Sequence, residues 1–412
     1  MELLIKNAAQ ILTMAGPARP RRGGEMDHLE VIESGSVLIE DDRIAGVGRS
    51  LAPRLSNSRV LDLNFKSIVA PAFVDSHTHS IFAGTRCHEY EMRARGASYE
   101  DIAQAGGGIW STVQGVRAAS AAELVTLAAP RLKRFLSFGT TTVEIKSGYG
   151  LSMADELKML RVARTLAGQF PLSIVPTFLG AHAYPPEFRD RHDLYLDALD
   201  EALDAIAREE LAEFVDAFCE RGYFSVEETR RHLSAARQRG FRLKVHAEEL
   251  SELGGARLAA ELGATSADHL EFVGAAAMDA MAEAGVIATL LPATAFSLGL
   301  ETLPPARRLI EHGVPVALAS DFNPGTSHNQ NMQLVLTMAC SQLKMTPAEA
   351  FTAATINGAY AVNRPQVGSL EPGKQADLVI FGVTDYREIP YHFGVNHVER
   401  VLHKGKIVYR GP

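Results

Sequence analysis

The chain has 412 residues, of which 46% are hydrophobic and 22% charged, and it carries a formal net charge of −8. This composition is typical of an ordinary globular protein with one large domain or two smaller ones. The negative charge argues against a nucleic-acid or acidic-membrane partner, because either would need a basic face. We see no apolar run long enough to cross a membrane and no basic leader, so we expect neither a membrane span nor a secretory signal.

Cysteine usage bears on the compartment. Cys87, Cys219 and Cys340 are far apart, odd in number and include no C-x-x-C pair. This suits a reducing environment, and we expect a cytoplasmic protein. The single basic run, Arg19-Pro20-Arg21-Arg22, lies among glycine and proline, and we expect a solvated loop there.

Both ends of the chain contain short strand-like runs broken by turns. In chain order these runs are 3–13, 36–48 (with a turn at 41–43), 59–63, 376–381 and 398–409. Neither end has enough strands for a stable sheet by itself. We therefore expect residues 1–66 and 363–412 to form one small β-sandwich together, with the chain ends meeting.

Between the two ends, apolar strand-like runs alternate with amphipathic helical stretches, which is the pattern of β/α units. The runs are 68–74, 140–145, 172–179, 213–218, 241–245, 265–268, 286–291 and 314–319. Eight such strands predict a (β/α)8 barrel over residues 67–362. A doubly wound open sheet is the alternative, but Gly106-Gly107-Gly108 follows a helical stretch and not a strand, so the phosphate-binding turn of that fold is missing.

Two histidines, His77 and His79, follow the first of these runs. Alternate side chains of a strand share a face, so both imidazoles point the same way and are well placed to hold a metal ion. A pair of hydrogen-bonded loop histidines is the alternative. The metal interpretation is favoured because strands of this apolar type belong to parallel sheets, whose carboxyl ends carry functional sites.

Ionisable residues also follow most of the other predicted barrel strands. They are Lys146 after strand 2, His182 after strand 3, Cys219-Glu220 after strand 4, His246-Ala247-Glu248-Glu249 after strand 5, Asp268-His269 after strand 6 and Asp321 after strand 8. Because the carboxyl ends of barrel strands meet at one face, these side chains are expected to form one site.

This order of strand-end residues resembles the metal-dependent amidohydrolase superfamily, as do the two-part layout and the terminal stretch 368–377. More specifically, the chain resembles the imidazolonepropionase family over almost its whole length. The motifs that carry this resemblance are 75–79, 82–86, 106–109, 144–150, 178–182, 321–326 and 390–394.

The resemblance implies a small-molecule substrate and a homodimer. The implied reaction is metal-dependent opening of the imidazolone ring of 4-imidazolone-5-propanoate, which gives N-formimino-L-glutamate in histidine degradation. An aromatic deaminase, or another small-ring amidohydrolase that uses the same metal site, is one alternative. A non-catalytic scaffold that has lost its metal is the other, although all of the expected ligands are present here.

Site roles also follow from the resemblance, position by position. The metal ligands would be His77, His79, His246 and Asp321, holding one zinc or iron ion. Glu249 would act as general base, His269 would stabilise the oxyanion or shuttle a proton, and Asp321 would relay a proton to the leaving nitrogen. Substrate contacts are expected from Arg86, Tyr149, His182, Glu249, Asn323, Gly325 and Thr326.

Two features of the sequence leave a choice open. Strict alternation from His246 would point Glu248 inward, but the strand is ending there, and the resemblance selects Glu249. Related enzymes bridge two metals with a modified lysine after strand 4, whereas this chain has Phe218-Cys219-Glu220 there and its strand-end Lys146 follows strand 2. We therefore expect a single metal ion.

Overall fold

The described residues, 2–97 and 99–411 of the computed structural model, form two eight-stranded sheets. The strands in chain order are β1 Glu2–Leu12, β2 Val31–Glu40, β3 Arg43–Gly48, β4 Arg59–Asp62, β5 Ile68–Pro71, β6 Phe73–Asp75, β7 Thr140–Lys146, β8 Ser173–Ala181, β9 Phe214–Cys219, β10 Arg242–Ala247, β11 Ser266–His269, β12 Ile287–Leu290, β13 Val316–Leu318, β14 Leu378–Phe381, β15 Val398–His403 and β16 Lys406–Arg410.

Most of the helices lie in the connections between consecutive barrel strands. They are α1 Cys87–Ala94, α2 Tyr99–Gln104, α3 Ile109–Ala118, α4 Ala121–Ser137, α5 Met153–Gln169, α6 His192–Glu209, α7 Val226–Gln238, α8 Gly255–Leu262, α9 Ala275–Ala284, α10 Pro292–Leu298, α11 Ala306–Glu311, α12 Met332–Ser341, α13 Pro347–Thr352, α14 Gly358–Ala361 and α15 Glu388–Tyr391. Within the described part of the chain, none of these helices has the length and apolarity needed to span a bilayer.

Strands β6 to β13 form a parallel sheet in chain order, and this sheet closes into the predicted (β/α)8 barrel. The closing contacts join the segments that follow β6 and β13. The Asp321 amide donates to the His77 carbonyl at 3.1 Å, and the His79 amide donates to the Phe322 carbonyl at 2.8 Å. Thr78 and Phe322 form the parallel bridge between the two segments.

The local sequence explains the outer helices. In α6 the buried side chains recur at helical spacing and face the barrel: Tyr195, Leu196, Leu199, Ala202, Leu203 and Ile206. Capping boxes at Ser225–Glu228 and Thr346–Glu349 begin α7 and α13. Helix α8 begins at Gly255, after a loop over residues 251–254.

The two chain ends form the second sheet, which is mixed. Its order is β16-β15-β14-β5-β1-β2-β3, and β4 pairs with β1. The sheet curves back on itself, because a bridge joins Arg43 at the start of β3 to Gln375 just before β14. Side chains from both halves of the sheet share one apolar cluster, which includes Ile5, Ile39 and Leu378. The expected pairing of the two ends is thus present.

The run 68–74 is divided between the two sheets, which corrects its prediction as one barrel strand. Residues 68–71 form β5, which pairs with β14 and β1, and residues 73–75 form β6 in the barrel. The chain therefore changes sheets at Ala72, a few residues beyond the predicted domain boundary at residue 67. The whole run is buried in both settings, so its apolar pattern could not reveal the change.

The basic run is not the solvated loop that we expected, because Arg21 is buried. Its guanidinium donates to the Met14 carbonyl at 3.1 Å and to the Arg19 carbonyl at 2.7 Å. Its main-chain amide donates to Oδ1 of Asn357 at 2.7 Å, and the Asn357 side chain donates back to the Arg21 carbonyl at 2.9 Å. Arg21 thus fastens the N-terminal segment to the π-helical turn Ala353–Asn357 that follows α13.

Phe73 connects the barrel with the mixed sheet. Its ring is fully buried and its centroid lies 6.0 Å from that of Phe351 and 5.8 Å from that of Phe381. We expect Phe73→Ala to lower the free energy of unfolding, measured by urea denaturation, by about 3–5 kcal/mol. The matched control is Phe393→Ala, because Phe393 is 72% exposed. Equal stability of the two variants would contradict this role for Phe73.

Candidate active site

The carboxyl ends of the barrel strands surround a cavity of about 490 Å³. Ionisable and aromatic side chains dominate its wall. The lining residues are His79, Arg86, Ile109, Tyr149, His182, Phe218, Arg221, Tyr223, His246, Glu249, Leu250, His269, Leu298, Asp321, Asn323 and Thr326. His77 lies beneath this wall and is fully buried.

The four residues predicted as metal ligands lie together at the floor of the cavity. Oδ1 of Asp321 is 3.5 Å from Nε2 of His77 and 3.5 Å from Nε2 of His79. The ring of His246 approaches that of His77, with 4.5 Å between centroids. Possible ligand atoms of His77, His79 and Asp321 all lie within 4.8 Å of one another, as do those of His77, His246 and His269.

The donor atoms fit a metal ion. Among the described residues, Nε2 of His77 and Nε2 of His246 are buried and have no hydrogen-bond partner, which is costly unless something satisfies them. Burial lowers the pKa of His77 and of His79 well below the ordinary range, so both imidazoles are neutral, as metal ligation requires. Three imidazoles and one carboxylate suit a catalytic zinc or iron ion with an open position.

Two buried aspartates support the imidazoles from below. Nδ1 of His77 donates to Oδ2 of Asp268 at 2.7 Å, and Nδ1 of His246 lies 3.0 Å from Oδ2 of Asp216. A carboxylate at Nδ1 fixes the ring orientation and leaves Nε2 facing the metal position. Asp216 was not anticipated from the sequence, whereas Asp268 was expected at the site as a strand-end residue without a named partner.

Lys146 does not reach the cavity. Its ammonium group donates to Oε1 of Glu144 and to Oδ2 of Asp216, each at 2.7 Å, and the side chain is fully buried. Burial opposes the charge, but the neighbouring carboxylates outweigh burial and raise the lysine pKa. An ammonium engaged in this way is not available to bridge two metals, which favours the single-metal prediction.

The structure separates the roles of Glu248 and Glu249. Glu248 has a left-handed backbone with φ of 51°, and its carboxylate accepts from the amides of Gly254 and Ala256 at 2.8 Å each. It therefore holds the start of α8 and does not line the cavity. Glu249 does line it, with Oε2 3.6 Å from Nε2 of His269. Burial, reinforced by Asp321, raises the pKa of Glu249 to about 8.

A further carboxylate, Glu220 at the end of β9, fixes the loop that carries Glu249. It accepts from the amide of Leu250 at 2.9 Å and from the amide of Ser251 at 3.2 Å, and it also accepts from the Ser251 hydroxyl. Residues 250 and 251 are thus held by a side-chain acceptor, which fixes the loop between β10 and α8.

Left-handed backbone recurs at two residues that line the cavity. His269 has φ of 80° and Asp321 has φ of 49°. Such conformations are costly for residues other than glycine and persist where the surroundings fix them, often at functional sites. The hydroxyl of Thr294 donates to Oδ2 of Asp321 at 2.6 Å, while burial raises the Asp321 pKa to about 6.

The expected substrate contacts occupy one side of the cavity. His182 packs over His79, with 5.2 Å between ring centroids, and Nδ1 of His182 donates to the Gly148 carbonyl at 2.9 Å. Burial lowers the pKa of His182 to about 3, so the ring is neutral. Tyr149 lies beside it, 5.4 Å between centroids.

Arg86 and the 323–326 loop form the adjoining wall. The Arg86 guanidinium makes a two-pronged ion pair with Glu89, at 2.9 and 2.7 Å. Oδ1 of Asn323 accepts from the amides of Gly325 and Thr326 at 2.8 and 2.7 Å, which makes the loop tight. A Cβ on Gly325 would collide with the Arg86 guanidinium, so a larger residue there would displace that side chain.

Several lining residues were not anticipated, namely Ile109, Phe218, Arg221, Tyr223, Leu250 and Leu298. Arg221 and Tyr223 follow β9, just after the pair Cys219-Glu220 that was expected at the site. Their position after a barrel strand was the available signal. Leu298 ends α10 and has no comparable signal, because an apolar helix residue is usually a packing residue.

Comparison with known proteins gives one consistent family. A model described as the amidohydrolase family matches residues 102–409. The chain is 47% identical to the imidazolonepropionase of Alkaliphilus metalliredigens, over 99% of this chain and 98% of that relative. It is 49% identical to the imidazolonepropionase of Geobacillus thermodenitrificans, over 98% and 97%.

Solved structures share the fold at low sequence identity. A triazine hydrolase variant superimposes with a TM-score of 0.77 at 17% identity, over 99% of this chain and 95% of that one. Atrazine chlorohydrolase from Arthrobacter aurescens, in complex with zinc, gives a TM-score of 0.69 at 17% identity with the same coverages. These likenesses support the barrel with its accompanying sheet.

The donor set generates a prediction about metal content. We expect His246→Ala and Asp321→Ala each to weaken metal binding by more than about 100-fold. Loss of a residue that only hydrogen-bonds to a metal ligand already lowers metal affinity by about 10–100-fold. Elemental analysis after dialysis against a chelator measures the retained metal. His312→Ala is the control, since His312 pairs with Asp279 and does not line the cavity. Wild-type metal content in the His246 and Asp321 variants would remove both residues from the ligand set.

Proposed function

The chain belongs to the imidazolonepropionase family of the amidohydrolases, and from this premise we propose that it hydrolyses 4-imidazolone-5-propanoate to N-formimino-L-glutamate in histidine degradation. One observation carries the proposal. A set of side chains that could bind a metal ion, the buried carboxyl of Glu249 and the guanidinium of Arg86 all lie at one cavity. The bond that breaks is the cyclic amide C–N bond.

His77, His79, His246 and Asp321 would hold the metal ion, which we propose to be a single zinc or iron. When bound, it supplies Lewis acidity that activates water near neutral pH. Glu249 would take the proton from the attacking water, because its carboxyl faces the cavity beside His269. The Glu220 clamp on Leu250 and Ser251 keeps this carboxyl in place.

His269 and Asp321 complete the proton path in this proposal. His269 lies 5.3 Å from His246 between ring centroids and next to Glu249, so it can stabilise the oxyanion that forms at the amide carbonyl. Asp321 would be ionised as a metal ligand, so it would first receive the proton that Glu249 takes from the water. It would deliver that proton to the ring nitrogen as the C–N bond breaks.

Substrate orientation would come from the opposite wall. The planar guanidinium of Arg86 matches a carboxylate and would bind the propanoate group. The neutral ring of His182 and the Tyr149 side chain would contact the imidazolone ring. The loop residues Asn323, Gly325 and Thr326 would bind the substrate or the product that leaves.

Direct turnover tests this function. Purified protein is incubated with imidazolonepropanoate, guanine and cytosine in separate reactions, and loss of substrate is followed by absorbance with product identified by mass spectrometry. We expect turnover of imidazolonepropanoate alone. Hydrolysis of only the bases would replace our proposal by a deaminase.

Elemental analysis of the same preparation identifies the metal. We expect zinc or iron at about one ion per chain, from one catalytic site of three imidazoles and a carboxylate. A cytoplasmic homodimer is part of the proposal, and the free thiols of Cys87, Cys219 and Cys340 fit a reducing compartment.

Glu249 generates a prediction on rate and pH. Glu249→Gln removes the proton acceptor and is expected to lower kcat by roughly 10²–10⁴-fold, the usual contribution of a general base. The protonated acid cannot accept a proton, so the wild-type activity should fall as pH drops through the Glu249 pKa. Burial raises that pKa from 4.5 to about 8 and a bound cation lowers it, so the acid limb of kcat/KM should lie between those values.

The control for this measurement is Glu252→Gln, because Glu252 is an exposed residue of the same segment. It should leave kcat and the pH profile unchanged. An unaltered acid limb in the residual activity of the Glu249 variant would assign that limb, and the base, to another group.

Arg86 generates a prediction on substrate affinity. Arg86→Ala is expected to raise KM by roughly 10-fold or more with a smaller change in kcat, because a charged hydrogen bond contributes about 1.5–3 kcal/mol. The control is Arg95→Ala, which removes an exposed arginine just after α1. Unchanged KM in the Arg86 variant would show that the propanoate carboxylate binds elsewhere.

A further inference from the structure

Beneath the ligand residues lies a cluster of five fully buried charged side chains, which we call the buried charge cluster. It comes from four barrel strands, β7, β9, β10 and β11. Three members are carboxylates and two are lysines, so the cluster carries one net negative charge: Glu144, Lys146, Asp216, Lys244 and Asp268. No role in the proposed reaction accounts for the two lysines.

The two lysines differ in what they hold. Nζ of Lys146 lies 2.7 Å from Glu144 and 2.7 Å from Asp216, and 3.8 Å from Asp268. Nζ of Lys244 donates to the main-chain carbonyl of Ser76 at 2.8 Å, and it lies 3.6 Å from Glu144 and 3.8 Å from Asp268. Lys146 therefore donates hydrogen bonds to two side chains, whereas Lys244 donates a hydrogen bond to the backbone that precedes His77.

Through Asp216, Lys146 is connected to His246 in the proposed metal site. The Asp216 oxygen that accepts from Lys146 is Oδ2, which is also the atom 3.0 Å from Nδ1 of His246. A carboxylate buried without its cation is strongly destabilised, and breaking such a pair frees the group to move. Lys146 thus restrains the very oxygen that sits under the His246 ring.

We propose that Lys146 is a positioning residue of the metal site, which holds Asp216 beneath His246 and so orients the His246 imidazole toward the metal. This inference rests on the proposed ligation by His246. Lys244 instead stabilises the barrel backbone through its hydrogen bond to the Ser76 carbonyl. A partner one step beyond a metal ligand commonly changes metal affinity by about 10–100-fold.

A general loss of stability must be separated from loss of positioning. Lys146→Met alone would leave two buried carboxylates unpaired, so the test variant is Glu144→Gln/Lys146→Met, which keeps the net charge of the cluster. The matched control is Glu144→Gln/Lys244→Met, which makes the same change of charge at the other lysine. Circular dichroism and Tm of the metal-free proteins check that both fold.

Zinc affinity is the readout, measured by titrating metal-free protein with Zn²⁺ in competition with a chromogenic chelator. We expect Glu144→Gln/Lys146→Met to bind Zn²⁺ about 10–100-fold more weakly than wild type and the Lys244 control to bind it nearly as tightly as wild type. Equal affinity of the two double variants overturns the proposal. Failure of the wild-type protein to bind Zn²⁺ would count against zinc ligation in the proposed function instead.

Asp216→Asn provides the second measurement and stays informative if the Lys146 variant does not fold. It alters the same contact from the carboxylate side while Glu144 and Lys146 remain paired. We expect a similar loss of zinc affinity. We also expect no additive loss when it is combined with Glu144→Gln/Lys146→Met, because both act through one path. Wild-type affinity in Asp216→Asn, or additive losses, would overturn the proposal.

Discussion

Closure of the barrel between β6 and β13 is the constraint on which the site depends. The main-chain hydrogen bonds that close it belong to His77, His79, Asp321 and Phe322, so the closing residues and the proposed ligands are largely the same. The carboxylate of Asp75 adds to the seam by accepting from the Ser320 amide at 3.0 Å. A shift of one residue in this register would turn His77 and His79 away from Asp321. The geometry of the donor set is therefore a property of the fold itself.

Carboxylates that take no part in the chemistry maintain the loops around this seam. Glu220 and Glu248 each accept from main-chain amides in the segment that follows Glu249, and Glu248 does so from a left-handed backbone. The buried carboxylates of Asp268 and Asp216 likewise hold side chains in place, namely the imidazoles of His77 and His246. Burying these carboxylates is costly unless their acceptor atoms are used, and here each one fixes a functional neighbour.

The sequence could predict the barrel and the joined chain ends, and its strand-end residues and family motifs marked side chains that the structure brings together at one cavity. It could not decide between Glu248 and Glu249 by alternation, since the left-handed turn at Glu248 breaks the strand period. It missed Asp216, because a buried aspartate on a strand acquires meaning only through a lysine on another strand. The division of 68–74 was hidden for a similar reason, as both halves are equally buried.

The charges of the cavity explain why a cation belongs there. Glu249 and Asp321 both have raised pKa values, about 8 and about 6, with burial as the main cause and mutual repulsion as a contributor at Glu249. The buried charge cluster below adds a net negative charge, while burial keeps His77 and His79 neutral. The floor of the cavity therefore has an excess of acidic groups over positive charges. A cation held by the neutral imidazoles would balance it and favour the ionised form of Glu249, so that the group proposed as base is ionised when the donor set is filled.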